Sequence, residues 1–406
     1  MSTRVFAQTS LVDELKQNIS SRASDIEQLE KEIAEYKIRI ENVGNQKATL
    51  QNAVQTLDLS RAKLAKDIQL TQAKIDRAGG MITKLNDGIS QKQQRIDRNK
   101  DLIADIIHRI DQTDSDTMLE ILLSNTSLSS FLEDVDDMAR MQNAVRDSIL
   151  SLEQLKEEMS TSKASYLDER KKLTGLNTQL SDQKQVADGA RKQQVSLLSA
   201  TKNQESNYKK ILAEREASKK QFEKEIDDFE AQIRVAIDPT SFPKPGTKVL
   251  EFPVEEPIIT QRFGKTVDAR RLYVSGTHNG TDFRATPGTI IKAAADGTVV
   301  ATGDTDKACP GASYGRWILI KHKNGLSTLY GHLELIKVGA GKEVLVGDTI
   351  GYSGNTGYST GPHLHFTVYV SSAVEVKNMP SKSCKGAIFR LPLAPANAYL
   401  DAMDYL

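Results

Sequence analysis

A hydrophobic residue recurs at every seventh position through the first third of the chain. Counting in sevens from Ile26 to Ile110 gives thirteen positions, and eleven of them are isoleucine or valine. A second apolar residue often follows three positions later, as at Leu29, Leu57 and Leu85. Two apolar positions in every seven form the seam of a coiled coil. The sequence therefore predicts a helix of about 130 Å that packs along its length against another helix.

A second helical pattern of similar length follows, from Val145 to Ile233. Because the two arms are about equal, we expect an intramolecular antiparallel hairpin with its tip at 112–140. A parallel dimer of the same helices is the alternative. The tip is more apolar than a solvated turn requires, which favours a surface for docking a partner or for packing on itself. Its apolar residues are Met118, Leu119, Ile121, Leu122, Leu123, Leu128, Phe131 and Leu132.

The composition changes near residue 240. All eleven prolines lie at or after Pro239, and nineteen of the twenty-five glycines lie at or after Gly246. Short β-branched runs separated by D-G, N-G and G-D dipeptides then predict antiparallel strands joined by turns. We expect an α+β multidomain protein with a long coiled-coil hairpin followed by an all-β domain. The predicted divisions are a tail at 1–8, the hairpin at 9–237, a proline-rich linker at 238–249 and the β domain at 250–406.

Five of the six histidines lie in the predicted β domain. Two of them, in "GPHLHF", are two residues apart and therefore project from the same face of a strand. Another stands four residues before an aspartate in "HNGTD", and a fourth lies in "YGHL". A catalytic zinc site uses three protein ligands, commonly histidine and carboxylate, and leaves one position for water. The pattern thus indicates a metal site with further histidines for proton transfer.

These three motifs, in this order, resemble those of the lysostaphin/LytM-type zinc metallopeptidases. The resemblance covers about 250–370 and extends to "ITQRFG" and "GDTIGYSGNTGYSTG". It implies an antiparallel β fold and a peptidoglycan endopeptidase activity on peptide cross-links or stem peptides. By the same resemblance, His278, Asp282 and His365 would bind Zn²⁺, while His332 and His363 would flank the metal-bound water and the scissile carbonyl.

The two remaining histidines have other interpretations. His322 is expected to be structural, and His108 to be solvated on an outward heptad position. The loop at 303–317 and the segment after 370 are longer than is usual in this family. They contain the only two cysteines, Cys309 and Cys384, which are expected to form a disulfide if the domain is exported. Two free thiols are the alternative.

The combination of a long coiled coil with a C-terminal domain of this type is similar to EnvC-like division proteins. In that group the domain is often degenerate and activates cell-wall amidases, and the coiled coil docks to an ABC-transporter-like membrane complex. By this resemblance the tip at 112–140 is the expected docking site. A non-catalytic amidase activator is therefore the alternative function. The intact set of five residues favours the enzyme, and a purely structural spacer would leave that set unexplained.

The architecture also suggests regulation. A helical arm that ends at a short proline-rich linker can fold back and place a helix, from about 185–235, across the substrate groove. The intact chain would then be latent, and a partner at the tip would open the site.

Charge and hydropathy limit the environment and the partners. The 54 basic residues balance the 54 acidic ones, which gives no electrostatic reason to expect nucleic acid. No stretch approaches the length of a membrane-spanning helix. The start "MSTRVFAQTS" is compatible with the remnant of a removed signal peptide. Because the implied substrate lies outside the cytoplasm, we expect an exported protein of the periplasm or cell envelope.

Overall fold

A computed structural model describes most of the chain. Residues 115–127, which are the middle part of the predicted tip at 112–140, lie outside the described residues. The described ranges are 25–39, 49–114, 128–231, 237–272, 275–359, 361–381, 384 and 386–406.

Long helices make up the first half, as the heptad pattern predicted. The helices are α1 (25–39), α2 (Leu50–Asp114), α3 (Leu128–Thr201), α4 (Glu205–Glu230) and the short α5 (Val267–Leu272). Gly79 and Gly80 lie inside α2 and do not interrupt it. Among the described residues, no helix combines the length and the apolar character needed to cross a bilayer.

The chain divides into two compact units, one of 1–28 with 70–179 and the other of 29–69 with 180–406. Within the first unit, α2 and α3 pair in antiparallel directions. Lys92 Nζ donates to Ser162 Oγ at 3.0 Å, and Asn99 Nδ2 lies 3.5 Å from Ser151 Oγ. This pairing within one chain supports the hairpin over the parallel dimer.

In the second unit, the end of the helical pair packs directly on the β domain. Leu64 of α2 and Val186 and Ala190 of α3 form a buried cluster with Tyr352 of the sheet. The approach is close at Gly288, where an added Cβ would lie 2.5 Å from Leu64 Cδ2. Burying this apolar surface stabilises the contact by the ordinary hydrophobic effect.

Polar contacts fix the same interface. Asp182 of α3 accepts from Lys337 Nζ at 2.5 Å and from the Tyr352 hydroxyl at 3.1 Å. About three turns further along α3, Gln193 donates to the Glu334 carboxylate at 2.7 Å. Side chains of this kind, partly buried and paired, hold α3 in one register on the domain.

The β domain is built on one large antiparallel sheet. Its main path runs β1-β2-β9-β6-β5-β4-β7, while β12 pairs with β9, and β8 pairs with β3 and β6. The predicted antiparallel β fold is confirmed. The strands are β1 (Ile259–Gln261), β2 (Thr281–Arg284), β3 (Ile290–Lys292), β4 (Gly297–Asp304), β5 (Arg316–His322), β6 (Leu326–Ile336), β7 (Glu343–Val344), β8 (Thr349–Ser353), β9 (His363–Val370), β10 (Glu375–Pro380), β11 (Ile388–Leu393) and β12 (Tyr399–Leu400).

Alternate residues of the central strands form the main core. Leu364, Phe366 and Val368 of β9 are fully buried there. Phe242, from the proline-rich segment, packs against the same core. His322 is also buried, with Nδ1 3.0 Å from the Asp296 carbonyl and Nε2 2.7 Å from Thr328 Oγ1. Its structural role, expected from the sequence, fits these contacts.

The two insertions meet in space. Strands β10 and β11 form a separate two-stranded sheet, and Cys384 beside it is joined to Cys309 by a disulfide. The disulfide lies against a small apolar cluster that we call the insertion cluster. Its buried members are Ala312, Met379, Phe389, Leu391 and Leu393. Ile226 of α4 packs on this cluster, so the insertions form part of the contact surface for that helix.

Candidate active site

Strand register brings the predicted site residues together. Strand β9 lies between β2 and β6, with His365 opposite Asp282 on one side and opposite Gly331 on the other. His332 follows Gly331 directly, and His363 lies on the same face of β9 as His365. Ring contacts of His365 with His278 and His332, and of His332 with His363, show that all five predicted residues meet at one place, although they come from segments far apart in the sequence.

Three of these side chains form a candidate metal site. The donor atoms of His278, Asp282 and His365 lie within 4.8 Å of one another, and all three residues are buried. Asp282 Oδ1 is 3.3 Å from His278 Nε2 and 2.9 Å from His365 Nδ1. Two imidazoles and one carboxylate around a common point form a donor set typical of a divalent transition metal.

The other ring nitrogens support this assignment. His278 Nδ1 lies 3.1 Å from the carbonyl of Arg262, which can only accept, so the proton is on Nδ1 and the lone pair is on Nε2. His365 Nε2 lies 2.9 Å from Thr367 Oγ1, which leaves Nδ1 facing Asp282. In metal sites, the outer nitrogen of a ligating histidine is usually held in this way. The residues present thus fit a metal ion.

His332 has an unusual backbone. Its φ is +58°, in the left-handed region that a residue other than glycine rarely adopts. Its Nδ1 lies 2.7 Å from the Thr356 carbonyl, so Nδ1 carries the proton and Nε2 is the acceptor. Burial lowers the pKa of His332 well below its ordinary value, and charge on His363 and His365 lowers it further. The ring is therefore neutral near pH 7.

His363 completes the group at the edge of the cavity. Its ring centroid lies 4.6 Å from that of His332. Nδ1 is 2.8 Å from the Gly361 carbonyl, and Nε2 is 3.5 Å from Asp282 Oδ2. Two imidazoles with anchored Nδ1–H groups thus face the cavity beside the candidate metal ligands.

Asp282 is a charged group inside the domain. Burial alone would raise the pKa of this carboxyl, but His363, His278 and His365 together hold it well below its ordinary value. The carboxylate therefore stays ionised, as a metal ligand must.

Gly280 keeps space for His365. An added Cβ would lie 2.7 Å from His365 Cε1 and 2.8 Å from the Phe366 carbonyl oxygen. The backbone oxygen cannot move aside, so the added methyl group of Gly280→Ala is expected to push the His365 ring out of position. We expect metal affinity to fall by about 10- to 100-fold. Titration with Zn²⁺ against a competing chelator measures this. Gly339→Ala is the control, since nothing lies within 4 Å of its added Cβ. Equal metal affinity of wild type and Gly280→Ala would contradict the prediction.

A cavity of about 280 Å³ opens over these residues. Asp282, His332, His363 and His365 line one side of it, and four residues of α4 line the other. The α4 residues share one helical face and are Glu223, Ile226, Asp227 and Glu230. The helix therefore narrows the approach to the candidate metal site.

Several contributors to the site were not identified from the sequence. Tyr314 lines the cavity, lies 5.4 Å from the His365 ring and accepts from Asn279 Nδ2 at 3.0 Å. Thr367 and Thr356 position His365 and His332. The spacing of the α4 carboxylates was visible in the sequence, but the partners of Glu230 lie more than 150 residues away. Tyr314, in the insertion at 303–317, had no comparable signal.

Comparison with known proteins identifies the β domain. Residues 276–377 match the model of Peptidase family M23. These residues form an M23 peptidase domain. The matched range contains all three motifs that suggested the LytM-type resemblance, "HNGTD", "YGHL" and "GPHLHF". The predicted resemblance to this class of peptidase is thereby confirmed.

Curated relatives match a little over a quarter of the chain. The chain is 35% identical over 119 residues to DD-carboxypeptidase/endopeptidase Mpg of Neisseria meningitidis, covering 29% of this chain and 26% of that protein. It is 41% identical over 113 residues to peptidoglycan DD-endopeptidase ShyA of Vibrio cholerae, covering 27% of this chain and 25% of that protein. The chain thus spans about a quarter of the length of these relatives.

A similar solved structure is the catalytic domain of the antimicrobial peptidase lysostaphin from Staphylococcus simulans. It is 28% identical, with 36% of this chain and 90% of that chain covered and a TM-score of 0.26.

Proposed function

We propose that this protein is a peptidoglycan endopeptidase that hydrolyses amide bonds of peptide cross-links or stem peptides. The main support is the buried group of His278, Asp282 and His365 with two further histidines beside it. Relatives of the M23 domain are named as endopeptidases, and one of them as a peptidoglycan DD-endopeptidase. Zn²⁺ is the proposed metal, because two histidines and one carboxylate suit it.

The residues have distinct proposed roles. A divalent metal ion held by the three ligands would polarise the substrate carbonyl and lower the pKa of a water molecule. His332, neutral and with Nε2 unprotonated, is suited to accept a proton or a hydrogen bond from that water. His363, at the cavity edge, is suited to donate to the oxygen or nitrogen of the scissile amide.

We further propose that α4 keeps the intact chain latent. Three features of the second unit support this. The helix lines the cavity opposite the histidines, Ile226 packs on the insertion cluster, and Ser381 Oγ donates to Glu225 at 2.7 Å. Lys202 and Asn203, between α3 and α4, have φ of 51° and 57° and form a sharp break. Because α3 is anchored on the sheet, we propose that this break is the hinge about which α4 rotates away from the cavity.

Muropeptide analysis of purified peptidoglycan tests the activity. Full chain loaded with Zn²⁺, an Ile226→Arg variant that loosens α4, and Ile226→Arg combined with His363→Ala are incubated with the substrate. The Ile226→Arg protein is expected to release new cross-link products, and the double variant none. If the Ile226→Arg protein with confirmed zinc released no products, the endopeptidase proposal would fail and a role as an activator of amidases would be favoured.

The place of action is part of the proposal. A peptidoglycan substrate requires an exported protein in the periplasm or cell envelope, and a division complex of the ABC-transporter type is the proposed partner of the tip. Pull-down from membranes with the full chain and with a chain lacking 115–127 tests the partner. Equal recovery of the complex would contradict it.

Latency should weaken as the pH rises. Burial raises the pKa of Glu230 to about 7 from 4.5, although Tyr399 and the Ala394 N–H lower it in part. Burial likewise raises the pKa of Asp227 on the same face, and the facing tyrosines Tyr314, Tyr369 and Tyr399 remain protonated because their pKa values are raised. A carboxyl whose pKa is higher in the docked state takes up a proton on docking. Docking is therefore strongest below about pH 4.5 and is lost as the pH rises through about 7.

The measurement is the hydrolysis rate of the full chain divided by that of Ile226→Arg, from about pH 5 to about pH 8. We expect this ratio to rise with pH, by up to about 100-fold. Taking the ratio cancels the titration of the active site, which both proteins share. Glu230→Gln should flatten most of the rise, and an unchanged profile in that variant would contradict the assignment to Glu230.

A further inference from the structure

The last residue of α4 is held by a small polar pocket in the M23 domain. Glu230 Oε1 accepts hydrogen bonds from the Tyr399 hydroxyl and from the Ala394 N–H, the latter at 3.3 Å. Two donors that converge on one carboxylate oxygen form a specific contact for a carboxyl group. We call the Tyr399 hydroxyl and the Ala394 N–H the carboxyl socket.

Tyr369 supports Tyr399 from inside the domain. It is fully buried, and its ring centroid lies 4.9 Å from that of Tyr399. Burial and the neighbouring Tyr314 raise the pKa of Tyr369 well above its ordinary value, so this residue stays uncharged behind the socket. The contact between the two rings helps to position the Tyr399 hydroxyl, which is the side-chain donor of the socket.

The carboxyl socket belongs to the same cavity as the candidate metal site. Tyr399 and Glu230 line that cavity together with His363 and His365. Strand β12 pairs with β9, with Tyr399 opposite Tyr369. Tyr369 lies four residues beyond His365 on β9, which corresponds to about 13 Å along the strand. An extended peptide covers that distance with about four residues.

When α4 leaves, Glu230 leaves with it, and the donors of the socket face an open cavity. No lysine or arginine lines the cavity among the described residues, so the acceptor is bound by neutral donors alone. The stem peptides of peptidoglycan carry carboxyl groups close to the bonds that join them. Such a peptide, with its amide bond at His332 and His363, extends along β9 toward the socket.

From this geometry we infer that the carboxyl socket is a substrate subsite, which binds a carboxyl group about four residues from the scissile amide. In this structure Glu230 occupies the subsite in place of the substrate. The inference rests on the proposed function, since it requires a peptide to enter this cavity. It also makes substrate and α4 competitors for the same donors, so that a carboxyl-bearing peptide favours release of the helix.

A binding cycle on the full chain tests the subsite. The protein carries Ile226→Arg and Glu230→Ala, which loosen α4 and vacate the socket. The probes are a stem tetrapeptide with its terminal carboxyl group and the analogue in which hydrogen replaces that group. Calorimetry measures both dissociation constants, with and without Tyr399→Phe. Tyr405→Phe is the control, because it removes a buried tyrosine hydroxyl of the same domain that does not line the cavity.

The site that raises the pKa of Glu230 favours a protonated carboxyl group, so the titrations are made at about pH 4.5. We expect the carboxyl group to improve affinity about 10-fold there, and Tyr399→Phe to remove that advantage without changing the affinity of the analogue. Tyr405→Phe should retain the advantage. Equal affinities of the two peptides, including undetectable binding of both, would overturn the inference, as would an advantage that survives Tyr399→Phe. Binding needs no turnover, so a carboxyl advantage without hydrolysis of peptidoglycan would reject the proposed function and leave the subsite standing.

Discussion

His365→Ala is expected to reduce peptidoglycan hydrolysis by about a thousandfold or more. His365 is the central member of the candidate metal site, within 2.9 Å of Asp282 Oδ1 and 3.2 Å of His278 Nε2. Its loss removes one of three ligands, and a bound metal supplies several kcal/mol of transition-state stabilisation. The measurement is the rate of muropeptide release in the Ile226→Arg background, with metal content determined on the same samples.

Folding must be controlled in this experiment, because the substitution leaves the buried Asp282 with one partner fewer. Thermal unfolding of each variant in the presence of chelator gives the stability of the metal-free form. His108→Ala, at an exposed position of α2, should change neither hydrolysis nor unfolding. A folded His365→Ala protein that retained a tenth or more of the activity would show that His365 is not required for the reaction.

Ile226→Arg is expected to raise hydrolysis by the full chain by about 10- to 100-fold. Ile226 packs on the insertion cluster beside the disulfide, which gives α4 an apolar contact with the β domain near the cavity. Ile226 is half-buried, so exposing it costs up to about 1.5 kcal/mol of docking, and placing a charge there adds to the cost. A change of that size shifts a two-state equilibrium by one to two orders of magnitude.

The rate of muropeptide release by the full chain and by Ile226→Arg is the measurement. Lys224→Ala is the matched control, since Lys224 is an exposed residue of the same helix. Ile226→Ser separates loss of apolar contact from introduction of charge, and it should give a smaller increase in the same direction. If Ile226→Arg and the wild type hydrolysed peptidoglycan equally fast, α4 would not control access to the site.

The alternative functions make different predictions for the same variants. An amidase activator would require release of α4 but would tolerate His365→Ala, because the metal site would not act in catalysis. An endopeptidase requires both the release and the metal ligands. Ile226→Arg therefore tests whether α4 controls access to the β domain, and His365→Ala tests whether the metal site carries out catalysis.

The sequence was sufficient to predict the main elements of this protein. The seven-residue period predicted the long helices because side chains on a helix repeat every 3.6 residues. The alternation in "GPHLHF" predicted that His363 and His365 share a face because side chains on a strand alternate. The resemblance of three short motifs then assigned five residues to one site. The pairing of Cys309 with Cys384 was expected from their number and is present.

Other features were decided only by the tertiary structure. The carbonyl groups of Arg262 and Thr356 fix which ring nitrogens of His278 and His332 carry protons, and backbone carbonyls have no signature in sequence. The left-handed backbone at His332 depends on its neighbours in the sheet.

The contact of Glu230 with Tyr399 likewise joins residues 169 positions apart, through a helix whose own period gives no indication of what it covers. Local periodicity determines which face of an element is apolar. Long-range packing decides which surface that face contacts and which polar groups lie there, because contacts between distant segments depend on the whole arrangement of the chain.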